Sequence, residues 1–332
     1  MEQSRIPYIG ACRVPNQDGS GSTNNSFGYG GHALGYNPAN NSLFYGGHDW
    51  YQKLAEIAIP STISLTNTAS VLQPLHDVTD GRAGQVDDGT VKLGGTLVFN
   101  GRLIVTAYSY YDADGNQSMS HFVSGTNLSR SSDVRGPHEL GGVANPRAKA
   151  GYMTEIPNEW RAAFGGPALT GQCCRSIISA TSAGPSATVF NPDDVGVTTP
   201  VPGTTVLFYP LGNATTRDGT FGNDVFVQSD VVAGIAFPRG TRSVLLIGRH
   251  GQGAYCYGPG TSDQSLAGKP SGNGVDSWCH DPASSSKGTH AFPYLHQLWA
   301  YDANDLISVK EGQRQTWDVR PYGVNSRLCT RD

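Results

Sequence analysis

Long apolar runs are missing from this chain. None approaches the roughly 20 residues that cross a bilayer as a helix, so no membrane partner is expected. Charge is scarce too: Asp, Glu, Lys and Arg make up 15% of the 332 residues, and the formal net charge is −4. Without a basic stripe there is no electrostatic footprint for nucleic acid or for an anionic membrane surface. A charged N-terminal region followed by an apolar stretch is also lacking, so no signal peptide is read here. Three catalytic signatures are absent: a Gly-x-Ser-x-Gly elbow, a Gly-x-x-x-x-Gly-Lys-Ser/Thr phosphate loop and a His-Glu-x-x-His zinc helix. The glycines between Gly28 and Gly31 precede strand-like rather than helical sequence, which argues against a dinucleotide loop.

Glycine, with 43 copies, is what the chain has in abundance. That many glycines beside so little charge fits many tight turns and few exposed helices. Four segments can be superposed: Leu43 to His48, Leu103 to Tyr108, Ile177 to Ser182 and Leu245 to His250. Each is an apolar run ending in small residues and then a polar one. The end positions His48, Tyr108, Ser182 and His250 are spaced by 60, 74 and 68 residues. Several strands per unit at a near-fixed period predict an all-β chain folded as a β-propeller.

The expected ring has four to five four-stranded blades, six at most, either as a compact propeller or with its last blade truncated. The whole chain, 1–332, is read as one domain, with blades near 27–80, 91–147, 150–211 and 230–320 and a closing strand within 1–20. Asn40-Asn41, Asn100-Gly101 and Asp114-Gly115 mark hairpin turns. Blade three is expected to carry an insertion from Pro157 to Cys173, with helical turns over Asn158 to Phe164, and to resume as strands at Ser176–Ser182 and Ser186–Phe190. In blade four, strands are expected at Gly253–Tyr257 and, as the last, Thr316–Val319. An exposed blade edge would invite pairing, so the chain is read as monomer or dimer.

Six cysteines are present. Cys256 and Cys279 flank a Gly/Ser/Pro-rich excursion that cannot hold its shape by core burial, which predicts a disulfide between them. Cys173 and Cys174 are adjacent and bridge only with strain, so two thiols are expected there. Cys12 and Cys329 lie near the two ends, where a propeller closes.

Tyr29-Gly30-Gly31, Asn37-Pro38-Ala39-Asn40-Asn41-Ser42-Leu43-Phe44, Gly47-His48-Asp49-Trp50, Gly248-Arg249-His250-Gly251, Ser286-Lys287-Gly288-Thr289-His290 and the run from Trp299 to Leu306 carry a resemblance. Over most of its length the chain resembles an uncharacterised family of exported bacterial proteins of propeller fold. The resemblance implies a secreted or periplasmic protein and brings no assigned activity. At the level of fold alone the chain is similar to the gluconolactonase, paraoxonase and phosphotriesterase propellers, which hold calcium in the central tunnel.

In a propeller the second strand of each blade ends on the face where the inner strands begin. His48, Tyr108, Ser182 and His250 are therefore expected on one face. A His can act there as general base or metal ligand, and Arg249 can hold an oxyanion or carboxylate. Ser286 to His296 leads back from the excursion and adds Lys287 and His290. His48, His250 and His290 together would suit Zn²⁺ better than Ca²⁺; a divalent metal, Ca or Zn, is the one cofactor considered. Asp112-Ala113-Asp114-Gly115 resembles the start of a calcium loop but reads more simply as a hairpin turn. Asp193-Asp194 and Asp302 to Asp305 have the same plain explanation.

The first functional expectation is a hydrolase of small ester, lactone or phosphotriester-like substrates. In it His48 and His250 serve as bases or ligands, Arg249 stabilises developing charge, and Tyr108 and His290 orient the substrate, with Asp49, Trp50, Tyr110, Ser182 and Lys287 around it. The second is a carbohydrate-active propeller, a lyase or a sugar-binding module. It rests on the aromatic and polar clusters His48-Asp49-Trp50-Tyr51 and Tyr108-Ser109-Tyr110-Tyr111, on which sugar rings can stack. The third is an interaction scaffold without chemistry.

Overall fold

A computed structural model describes residues 6–211, 226–272 and 274–325. Blade one runs outward from β1 (Leu34–Asn37) through β2 (Ser42–Gly46) and β3 (Leu54–Ala58) to β4 (Val71–His76). Blade two repeats the pattern with β5 (Val91–Phe99), β6 (Arg102–Ser109), β7 (Met119–Gly125) and β8 (Arg135–Glu139). Its first hairpin turns at Asn100 and Gly101, with φ of 47° and 73°. Two successive positive angles match the right-handed twist of the flanking strands, and Asn-Gly is the pair that adopts them most readily.

Blade three consists of β9 (Met153–Glu155), helix α1 (Asn158–Phe164), β10 (Ala168–Thr170), β11 (Ala187–Phe190) and β12 (Gly203–Leu207). The helix occupies the positions expected of it and ends on Gly165 in the left-handed conformation. Blade four is built from β13 (Val231–Ala236) and β14 (Ser243–Gly251) before the excursion interrupts it. The excursion holds β15 (Cys256–Gly258), β16 (Gly260–Thr261), β17 (Cys279–His280) and β18 (Gly288–His290). The blade resumes with β19 (Tyr294–Asp302) and, after α2 (Ala303–Lys310), ends with β20 (Gly323–Asn325). The four blade sheets are antiparallel, and together they form a four-bladed β-propeller.

The blade count settles at four, and blade four has its full set of strands. Three assignments from sequence change. Ile177–Ser179 is a turn of 3₁₀ helix rather than a second blade strand; that role falls to β10 inside the supposed insertion. Gly253–Tyr257 contributes only to β15 in the excursion, and Thr316–Val319 lies in a turn, with β20 taking the outer position. Cys173 and Cys174 form a vicinal disulfide, against the expectation of two thiols, while the Cys256–Cys279 bridge is present as expected. Closing a loop of that sequence separation, 23 residues, stabilises the folded chain by about 3 kcal/mol. Cys329 lies outside the described residues, and Cys12 is a free thiol.

The inner strands meet backbone to backbone around the axis. β1 packs on β5, β5 on β9 and β9 on β13. A Cβ at Gly94 would stand 2.2 Å from the Ala150 carbonyl oxygen, and one at Gly95 2.6 Å from that of Gly151. Only glycine permits this approach. Thr106 Oγ1 donates to Gly151 O across the same seam at 2.6 Å. Farther out the blades diverge, and large side chains fill the wedges. Phe44, Leu54, Leu103 and Phe122 lie between blades one and two, and Ile104, Met153 and Phe190 between two and three. Phe164, Tyr209, Trp299 and Tyr301 fill the space between three and four. Each such side chain removed from water contributes about 1.5–3 kcal/mol. The Tyr209 and Tyr301 hydroxyls meet at 2.9 Å, and Tyr209 donates to Val319 O, so these buried phenols are not left unsatisfied.

Among the described residues, the N-terminal segment adds no strand to blade four. Ile6 packs beside Leu245 and Leu298 of that blade, and Arg13 makes a parallel bridge to Thr68 next to β4. The segment thus lies over the seam between the first and last blades.

Candidate functional site on the top face

One face of the ring gathers the starts of the inner strands and the ends of the second strands. Cross-strand pairing identifies the equivalent positions: Gly30 opposite His48, Lys92 opposite Tyr108, and Val231 opposite Arg249. In blade three the matching position follows β10 and falls at Gln172-Cys173, since Gly151 N donates to Gly171 O. His48 and Tyr108 are thus equivalent, as expected from sequence. His250 is displaced by one residue from the equivalent Arg249. Ser182 is not equivalent; it is buried beside β12's end, where its Oγ accepts from Tyr209 N at 2.9 Å.

Tyr108 is fully buried and donates to Cys174 O at 3.3 Å. Burial lifts its phenol well above the ordinary range, so it acts as a donor and not as a base at neutral pH. Asp49 forms an ion pair with Lys92, whose ammonium lies 4.6 Å from the centre of the Tyr110 ring. Tyr110 stacks edge-on against Tyr111 at 4.5 Å. Asp49 and Lys92 also act electrostatically on His32, which precedes β1; burial is the larger influence and lowers its imidazole below the ordinary range. His32 is reached by solvent, yet protein packed around it outweighs the Asp49 charge.

Opposite His32, from the facing blade, stands the Cys173–Cys174 disulfide. Arg175 follows it in the chain and has the most unusual setting of the face. Its guanidinium lies 5.4 Å from the centre of the Tyr108 ring, and Nη1 donates to Gln117 Oε1 at 3.0 Å. Its Nε and Nη2 are shielded from solvent and have no hydrogen-bond partner among the described residues. Burial without a carboxylate partner pulls the guanidinium down to about 9, with the positive charge of Arg147 adding to the effect and Tyr108 and Asp112 opposing it. Asp112 is committed elsewhere: its carboxylate accepts from the Asn116 and Gln117 amides and lies 3.7 Å from Arg147, which makes the loop a plain hairpin turn.

Arg175 lines a cavity of about 120 Å³ between blades three and four. Gln172, both cysteines, Ile177, Phe226, Val231 and Arg249 contribute to its wall. So does Ser229, whose buried Oγ also has no partner among the described residues. The single carboxylate on the wall, Asp230, is satisfied: it accepts from Gly251 N at 2.8 Å and Val227 N at 3.1 Å, and it holds His250 Nδ1 at 2.8 Å. The cavity wall is therefore mixed polar and apolar, and Arg175 and Ser229 leave polar atoms on it without a partner among the described residues.

The three imidazoles proposed as metal ligands do not come together. His48 Nδ1 accepts from Trp50 N at 3.1 Å, within a turn where its ring faces Tyr29, Trp50 and Tyr51. His290 is buried in the excursion, with Nδ1 on Asp281 at 2.7 Å and Nε2 shared by the Gly258 and Ser286 carbonyls at 3.0 Å. Neither of its nitrogens is free. Burial raises the Asp281 carboxyl, but hydrogen bonds from His290, Tyr294 and Ala283 N outweigh this and hold it below its ordinary range. His290 is thus a strut of the excursion, and Lys287, bound to Asp276 at 2.8 Å, is another. Arg249 lies over the Tyr294 ring at 4.4 Å. Trp50 and Tyr29, 84% and 87% exposed, form an open aromatic platform on blade one.

Sequence reasoning missed His32, the disulfide and Arg175. The signal for the disulfide and Arg175 was present in the Gly-Gln-Cys-Cys-Arg run after a short apolar segment, at the end of what was read as an insertion, while His32 follows a Gly-Gly pair that carries no metal or catalytic motif. No family model matches the chain, and no curated protein and no solved structure matches it.

Proposed function

We propose that the top face binds an acidic saccharide, making this a carbohydrate-active propeller. The observation that carries the reading is the Arg175 guanidinium, two of whose nitrogens are buried without a partner on the wall of the cavity. An unpaired buried cation costs several kcal/mol, and a ligand carboxylate supplies the missing acceptors in bidentate geometry. Arg249 and Ser229 add donors, and the exposed rings of Tyr29 and Trp50 offer stacking surfaces farther along the face. The two disulfides support an oxidising compartment, outside the cytoplasm, where such polymers occur.

The test is calorimetric titration with a short oligogalacturonate and with the same oligomer methyl-esterified. The acid form is expected to bind at least about tenfold more tightly, in keeping with the loss of a charged hydrogen bond. Equal affinities, or no binding of either, would reject the reading. New ultraviolet absorbance from an unsaturated product would identify a lyase, and binding without turnover a sugar-binding module.

One observation favours a hydrolytic reading as the second choice. Asp230 holds His250 Nδ1, which presents Nε2 with its lone pair, the arrangement of a general base. On activated esters, lactones and phosphotriesters, His250→Ala and Asp230→Asn are then both expected to lose about 10²–10⁴ in rate. Turnover undiminished in either variant, or absent from the native protein, rules the reading out.

A further inference from the structure

The centre of the ring holds a second constellation that the saccharide reading leaves unused. One nitrogen of His32 and the two sulfurs of Cys173 and Cys174 lie within 4.8 Å of one another. Among the described residues, no other set of three or more His, Cys, Asp or Glu groups meets that spacing. The contributions come from opposite blades: His32 leads into β1 of blade one, and the cysteines follow β10 of blade three. The His32 ring has no hydrogen-bond partner among the described residues, and solvent reaches it. In the oxidised protein the sulfurs are bonded to each other and offer no thiolate.

We propose that reduction of the Cys173–Cys174 disulfide opens a thiolate–imidazole metal site with His32, taking a thiophilic ion such as Zn²⁺ or Cu⁺. The redox step is an exchange with a small dithiol. Its thiolate attacks one cysteine sulfur, and the mixed disulfide then resolves as the second reductant sulfur displaces that cysteine. Two electrons and two protons pass to the protein, which ends with two thiols, and the reductant ends as its cyclic disulfide. Metal binding then releases the two thiol protons, since thiolates and not thiols are the ligands. Two sulfurs and one imidazole nitrogen are a soft donor set that suits Zn²⁺ and Cu⁺ and discriminates against Ca²⁺ and Mg²⁺, which require oxygens. A three-ligand protein site also leaves a fourth position open to water or to a small ligand. Cys174 lies at φ 58°, a left-handed angle uncommon for a residue with a Cβ.

The experiment titrates Cd²⁺, a spectroscopic stand-in for Zn²⁺, into the protein before and after reduction by a phosphine. That reductant takes up oxygen from water as the disulfide becomes two thiols. Sulfur-to-cadmium charge transfer in the ultraviolet reports binding. The reduced native protein is expected to bind one equivalent, and the oxidised protein none. Cys256→Ser/Cys279→Ser is expected to keep the signal, and Cys173→Ser/Cys174→Ser to lose it while circular dichroism stays native. His32→Ala, at a solvent-reached position, is expected to weaken binding by about 10–100-fold, at least as much as the loss of an outer-shell group. A signal that survives in Cys173→Ser/Cys174→Ser, an equal signal without reduction, or His32→Ala with native affinity would each overturn the proposal. None of these outcomes depends on a saccharide.

Discussion

Arg175→Met should bind no acidic saccharide and yet unfold at higher denaturant than the native protein. The two effects share one cause. In the free protein the guanidinium is buried with two nitrogens that have no partner among the described residues, and its removal strands none of the described neighbours. Gln117 Oε1, which accepts from Arg175 Nη1, also accepts from Ser109 N at 2.9 Å and stays satisfied. The cation–π contact with Tyr108 is lost, at about 0.5–2 kcal/mol. Replacing buried charge by an apolar side chain of similar length commonly stabilises by about 1–4 kcal/mol, so a net gain of about 1–2 kcal/mol is expected at pH 7.

The pH dependence has a definite sign. Burial pulls the folded-state Arg175 guanidinium down to about 9, well below the value it keeps in the unfolded chain. Between these values the unfolded state binds more protons, so the penalty is full below pH 9 and fades as pH rises through the window. The advantage of Arg175→Met over the native protein should therefore be smaller at pH 10 than at pH 7. Urea midpoints at the two pH values measure it. A variant less stable than the native protein at pH 7 would show that the guanidinium is paired in a way the cavity does not reveal, and the carboxylate site would lose its basis.

The native protein should also lose stability steeply in acid, and His121→Phe should remove a large part of that loss. His121 lies on β7, 1% exposed, with Nδ1 at 2.9 Å from Ser120 Oγ and Nε2 without a partner among the described residues. Its ring meets Phe190 at 5.4 Å. Burial, reinforced by the positive charges of Lys149 and His138, lowers it to about 3. Because the folded value is below the ordinary 6.5, the unfolded chain takes up a proton first as pH falls. The contribution is intact above pH 6.5 and is lost progressively down to about pH 3. At about 1.4 kcal/mol per pH unit, the loss reaches roughly 3 kcal/mol by pH 4. Phe fits against Phe190 and cannot titrate. The measurement is the difference in unfolding free energy between pH 7 and pH 4 for both proteins. Parallel declines would mean that His121 is protonated in the folded state or hydrated there.

Blades one and two were legible in the sequence because their hairpins close on residues with one strong conformational preference. Asn41, Asn100 and Gly101 all take positive φ, and the strands they join are long enough to show their pattern. Blade three was misread because β10 is three residues long, buried throughout, and separated from its partner by a helix. Alternation cannot appear in a segment with no exposed face, and the apolar run Ile177–Ile178 downstream offered a better but false match. That slip carried into the site. With Ser182 taken as the blade-three representative, the position after β10 was read as the end of an insertion, the adjacent cysteines as two thiols, and Arg175 was given no role. His250 and Asp230 could not be linked from sequence either, since their contact depends on the pairing of β13 with β14 across 20 residues.

The glycines at the seams separate two things that most small proteins must settle with the same residues. Where Gly94 and Gly95 lie against Ala150 and Gly151, the width of the bore is set by main chain resting on main chain. Side chains at the strand tips add contacts such as the Lys92–Asp49 ion pair, but the closest approach at the seam is made by the main chain. A change at Lys92, Gln172 or Arg249 alters what the face presents without altering how far apart the blades stand. The chain can therefore exchange one ligand for another by point substitution at the rim, on a frame whose dimensions do not depend on the outcome.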